Sequence, residues 1–79
     1  MRMIFDNDTL YVDIEGEVGQ IEMNYIKKRV FSVLDQYEVG NVIVNTKNVF
    51  NNLKIKSLVK EYKNKYNGNF LVVNKWYNF

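Results

Sequence analysis

Asn41-Val42-Ile43-Val44-Asn45 sets three consecutive β-branched apolar residues between two asparagines. A run this short and this uniformly apolar reads as an inner strand covered on both faces rather than a helix. On its N-terminal side, Ile21 to Glu38 places Met23, Ile26, Val30, Val33, Leu34 and Tyr37 on one stripe. Spacings of three and four residues make that segment an amphipathic helix, with Lys27, Lys28, Arg29, Ser32 and Asp35 on its other side. On the C-terminal side, Thr46 to Asn52 reads as a polar connection whose asparagines cap a second helix, Leu53 to Tyr66. Its apolar stripe is Ile55, Leu58, Val59, Tyr62 and Tyr66. Gly40 and Asn67-Gly68-Asn69 follow the two helices as stop signals.

Further outward, Phe70 to Val73 is a last strand. At the start, Met3-Ile4-Phe5 and Thr9 to Val18 flank Asp6-Asn7-Asp8, a turn in which Asn tolerates left-handed geometry, so a β-hairpin opens the chain. Leu10, Val12 and Ile14 alternate with Tyr11, Asp13 and Glu15, and Gly16 closes or bulges that strand. The order is β-β-α-β-α-β. Each strand-helix-strand segment is long enough for a right-handed crossover. The expected fold is therefore α/β: a four-stranded, mainly parallel sheet with the first strand antiparallel at an edge and both helices packed on one face. Residues 1–79 form one domain, since 79 residues at 47% apolar content support a single small core and no linker interrupts them.

The chain has no Cys and no His. Their absence removes disulfide scaffolds, zinc fingers, thiol nucleophiles and a histidine general base. It also lacks Pro and Ala and carries twelve Asn, a bias typical of AT-rich coding sequence that assigns most of those asparagines no role. No apolar run approaches the roughly 18 residues of a membrane span, and the start lacks a signal-peptide pattern. The chain reads as soluble and cytoplasmic, without membrane insertion.

Charge is unevenly spread. Residues 1–26 hold six acids against Arg2, whereas the remainder holds ten bases against three acids. Such a dipole favours oriented contact with a charged partner or head-to-tail self-contact. Asp13, Glu15, Glu17 and Glu22 lack the spacing and glycine of a calcium loop and read as a solvated strand face. Glycines 16, 19, 40 and 68 stand too far apart for a phosphate-cradling loop. No cofactor and no metal are expected. The second helix carries Lys54, Lys56, Lys60, Lys63 and Lys65 against Glu61, either a solvated face, a docking surface or a phosphate-binding one. Trp76, Tyr77 and Phe79 are either core filling or an interface anchor.

The element order and three stretches resemble the STAS domain, the fold of bacterial anti-sigma factor antagonists and of the cytoplasmic part of sulfate transporters. Leu10 to Val18 is similar to that family's second strand, ending in Gly16-Glu17-Val18 where the family has Gly-Glu-Leu; Asn41 to Val49 and Phe70 to Val73 are similar to later ones. The resemblance covers residues 1 to 75. STAS antagonists carry Asp-Ser-Ser-Gly at the start of the second helix, a phosphoserine position favoured by the helix dipole. Here the stretch is Asn51-Asn52-Leu53-Lys54, so the phosphorylation switch does not carry over, and Ser57 reads as an ordinary helix residue. The family also usually adds helices after the fourth strand, so an open sheet edge is expected here.

The resemblance implies a non-enzymatic regulatory module that docks to a protein, either an anti-sigma or kinase-like regulator or a copy of itself. The expected contact residues are Asn51, Asn52, Lys54, Lys56, Trp76 and Tyr77. The alternatives are a nucleic-acid-binding module built on the lysine-rich helix and a homo-oligomeric structural module.

Overall fold

The computed structural model describes residues 1–51 and 54–74, and their side chains except those of Asn48, Phe50 and Asn51. The elements are β1 Arg2–Asp6, β2 Thr9–Glu17, α1 Gln20–Gln36, β3 Asn41–Asn51, α2 Ile55–Lys65 and β4 Asn69–Val73. They form one four-stranded sheet in the order β1-β2-β3-β4. β1 runs antiparallel to β2, and β2, β3 and β4 are parallel. The β-β-α-β-α-β order and the mixed sheet agree with the sequence.

Local chemistry explains each junction. Asn7 turns the hairpin at φ 57°, the left-handed region that Asn enters readily. Gly16 does not close β2, which runs on to Glu17: it stands at φ +86° opposite a bulge in β3, where the pairing slips. At the start of α1, the Glu22 carboxylate accepts the Gly19 N–H at 3.0 Å. Both helices then end in the same way. Tyr37 and Tyr66 turn extended while their N–H groups still donate to Val33 and Tyr62 carbonyls at 3.0 and 2.8 Å.

Gly40 and Gly68 are therefore not the residues that stop the helices. Neither has positive φ, and both are needed for close approach. A Cβ on Gly68 would stand 2.6 Å from the Gly40 carbonyl oxygen and from Tyr62 Oη. Gly40 N–H donates to Asp8 Oδ1 at 2.8 Å, and Asn69 N–H donates to the Gly40 carbonyl at 2.9 Å. These bonds tie together the ends of the sheet at which the three parallel strands begin.

The segment Thr46 to Asn51 is strand, not a polar connection. Asp13 pairs with Asn45 but Glu15 with Asn48, and Gly16 pairs with Val49 but Glu17 with Asn51. β3 thus carries two extra residues relative to β2, and each one breaks the alternation by which strands are read. The asparagine caps are also absent at the described start of α2. Its N-cap is Lys54, with no side-chain bond to the helix; Asn51 ends β3, and Asn52 lies outside the described residues.

Leu10, Val12 and Ile14 of β2 and Val42 and Val44 of β3 share one sheet face and one buried cluster with residues from both helices. Met23, Ile26, Val30 and Phe31 come from α1, and Ile55, Leu58 and Tyr62 from α2. Both helices therefore cover the same face, side by side. Phe31 stacks on Tyr66 at 5.7 Å, and Lys27 pairs with Glu61 at 3.4 Å. Tyr66 Oη donates to Asp35 Oδ1 at 2.6 Å. Burial first, and then this carboxylate, push the Tyr66 phenol up to about 12.

The other face differs from the two-sided cover read from Asn41–Asn45. Register aligns Ile4, Tyr11, Ile43 and Leu71 across all four strands, and no described helix lies over them. Leu71 is 55% exposed. No helix among the described residues is long and apolar enough to cross a membrane.

Candidate functional site

The core stripe of α2 at Ile55, Leu58 and Tyr62 fixes where its remaining side chains point. One flank turns to α1: Lys54 Nζ donates to Gln20 Oε1 at 3.3 Å, and Lys65 reaches Glu61 at 3.5 Å and lies 5.3 Å from the Phe31 ring centroid. The other flank overhangs β4, the edge strand of the sheet. There Lys56, Lys60 and Lys63, four and three residues apart, rim a cleft of about 590 Å³ floored by Ile55, Val59 and Val72. These three lysines have no acid within salt-bridge distance among the described residues. Val72 is 40% exposed beside them. A surface of this kind combines an apolar floor with uncompensated positive charge, and it suits an apolar group flanked by carboxylates or phosphates.

A second cleft, of about 370 Å³, lies where β2 leads into α1. Met1, Ile14, Val18, Ile21 and Tyr25 supply its apolar lining, and Glu15, Glu17 and Glu22 supply its charge. Ile21 is 79% exposed and Tyr25 53% exposed, so this end of α1 projects an apolar ridge into water. Arg29 donates to Tyr25 Oη at 2.7 Å and leaves the patch net negative. The two clefts carry opposite charge and sit at opposite flanks of the helical layer.

The expected contact residues are only partly brought together. Lys54 and Lys56 are both exposed but lie on opposite flanks of α2, and only Lys56 belongs to the cleft. Asn51 ends β3. Asn52, Trp76 and Tyr77 lie outside the described residues. Sequence reasoning missed Ile21 and Tyr25 as surface groups, although both fall off the Met23-Ile26-Val30 stripe and beside acids. That offset is the signal that could have found them.

The acids read as a solvated face divide in the same manner. Glu15, Glu17 and Glu22 are exposed, whereas Asp13 is half-buried and its Oδ1 has no hydrogen-bond partner among the described residues. No three acidic side chains among the described residues converge as metal ligands. Ser57 lies within α2, its N–H donating to the Lys54 carbonyl at 3.1 Å. Set against protein-family models, curated proteins and solved structures, the chain matches none of them.

Proposed function

We propose that this chain is a small, non-enzymatic protein–protein interaction module, STAS-like in build and regulatory in role, that works in the cytoplasm without a phosphorylation switch. The observation that carries the reading is the cleft between α2 and β4, in which Lys56, Lys60 and Lys63 have no acidic partner among the described residues and surround Ile55, Val59 and Val72. An apolar floor of this kind contributes to binding only if a partner supplies apolar groups of its own, which favours a folded or extended protein surface. A nucleic-acid surface would instead use the whole lysine stripe, but Lys54 and Lys65 are engaged on the α1 side.

The test compares the chain with a Lys60→Glu/Lys63→Glu variant in affinity co-purification, and titrates both against single-stranded DNA and RNA at two salt concentrations. A protein captured by the parent chain and lost with the variant supports docking. Oligonucleotide binding that falls steeply with salt and disappears in the variant would replace it with the phosphate-binding reading.

A further inference from the structure

The two clefts are lined by opposite charges, and a single molecule cannot bring them together because they lie on opposite flanks of the helical layer. We propose that the chain associates head to tail with a second copy. The apolar ridge of Ile21 and Tyr25 on one copy seats in the α2–β4 cleft of the next. This deepens the docking reading and rests on it, since it names the partner of the same lysine-rimmed cleft.

Three observations converge on it. The first is charge. Lys56, Lys60 and Lys63 rim one cleft, and Glu15, Glu17 and Glu22 rim the other. Three cations facing three anions across an apolar centre is an arrangement that sets register and excludes other pairings. The second is shape and polarity. Ile21 and Tyr25 project from the N-terminal half of α1 with most or half of their surface in water, while Ile55, Val59 and Val72 form a concave apolar floor. One contact buries both.

The third observation is that both surfaces set apolar side chains among charged ones, the mixture found in protein interfaces. Tyr25 is a residue type that commonly carries interface energy, and Arg29 already fixes its hydroxyl. The contact is heterologous, because the surface given differs from the surface received. Repetition therefore builds a chain of copies, or a ring if the rotation closes.

The test uses the whole chain and two variants, each broken on one side only. Lys60→Glu/Lys63→Glu removes the receiving cleft and keeps the ridge. Ile21→Ser/Tyr25→Ser removes the ridge and keeps the cleft without adding a charge that the altered cleft could pair. All four positions are helical and exposed; circular dichroism verifies that both variants remain folded. Sedimentation equilibrium of the parent chain should show mass rising above 9.4 kDa with concentration, and less so as salt is raised. Each variant alone should stay monomeric. An equimolar mixture should give one-to-one heterodimers and nothing larger, because only one productive contact survives.

A parent chain that is monomeric up to millimolar concentration at low salt would overturn the self-contact. So would a variant that still assembles alone, or a mixture that stays monomeric while the parent chain assembles. If the parent chain is monomeric but captures a different protein through Lys60 and Lys63, the self-contact fails and the docking reading stands.

Discussion

Leu58→Ala tests the layering on which both clefts depend. Leu58 is completely buried, in the cluster that holds Val42, Val44 and Tyr62. Removing a fully buried leucine side chain costs about 2–5 kcal/mol, and the value rises with the cavity left behind. Here four of the five buried strand residues in the cluster, Val12, Ile14, Val42 and Val44, are β-branched and restricted at χ1, so the cluster collapses poorly and a loss of about 3 kcal/mol or more is expected. A domain of 79 residues holds only about 4–12 kcal/mol in total. Its unfolding entropy is about 0.17 kcal/mol per degree, so the variant should melt about 18 °C lower. The paired control is Leu71→Ser, on the sheet face that no described helix covers, where more than half the side chain is already in water. It should cost less than about 1 kcal/mol. Urea denaturation followed by far-UV circular dichroism measures both. If Leu71→Ser destabilises as much as Leu58→Ala, or if Leu58→Ala costs under 1 kcal/mol, the two helices do not cover the face assigned to them.

Alkaline titration should report the Tyr66–Asp35 bond. With the phenol at about 12 in the fold against 10.0 unfolded, the native state keeps a proton that the unfolded chain loses, so this stability is complete below pH 10 and disappears as pH rises toward 12. Screening at a half-buried site reduces the contribution to about 1 kcal/mol. Tyr66→Phe should flatten the fall in urea midpoint between pH 9.5 and 11.5, and parallel curves for parent and variant would refute it. Gly68→Ala should cost about 1–3 kcal/mol by chemical denaturation, because its Cβ meets the Gly40 carbonyl oxygen and Tyr62 Oη at 2.6 Å. Gly16→Ala, at φ +86° with open space around the new Cβ, should cost about 1 kcal/mol through backbone conformation alone. A neutral result at Gly16 would mean that the bulge relaxes when substituted.

The helices were legible because their apolar stripes are decided by one period. Met23, Ile26 and Val30, and Ile55, Leu58 and Tyr62, all point into the cluster as their spacing requires. Tyr37, read onto the α1 stripe, is instead the extended C-cap and 56% exposed. Phe31 is the opposite exception. It sits on the flank of α1 and is buried only because α2 brings Tyr66 against it, a tertiary event that a single-helix pattern does not contain. β3 was half legible for the opposite reason. The register with β2 is unbroken from Asn41 to Asn45, and then the two extra residues shift it out of phase, so Thr46 to Asn51 presents the composition of a loop while pairing as a strand. The stop signals at Gly40 and Gly68 were misassigned because a glycine has two uses. Left-handed geometry is visible in a motif such as a helix end, whereas close approach between Gly68 and Gly40, twenty-eight residues apart, exists only once the strands are aligned.

The surface was less legible than the core, and the reason is physical. Burial has a periodic signature, whereas exposure is defined by what is missing above a side chain. The lysines of α2 look equivalent in sequence, but the neighbouring helix divides them: Lys54 and Lys65 are used on the α1 flank, and Lys56, Lys60 and Lys63 are left over the β4 edge. The charge dipole along the chain was a truer guide than any motif. Its acidic part gathers around Ile21 and its basic part around Val59, so the sequence asymmetry becomes a spatial one with an apolar group at the centre of each pole. Two poles of opposite sign on one small body attract in an oriented way that falls off with salt, whereas two copies of a uniformly basic surface would repel. The order of the charges along the chain therefore bears on association, and Lys60→Glu, which sets an acid against the acidic pole of the next copy, should weaken the self-contact in sedimentation equilibrium without losing the fold, and by more than Lys60→Gln, which only removes the charge.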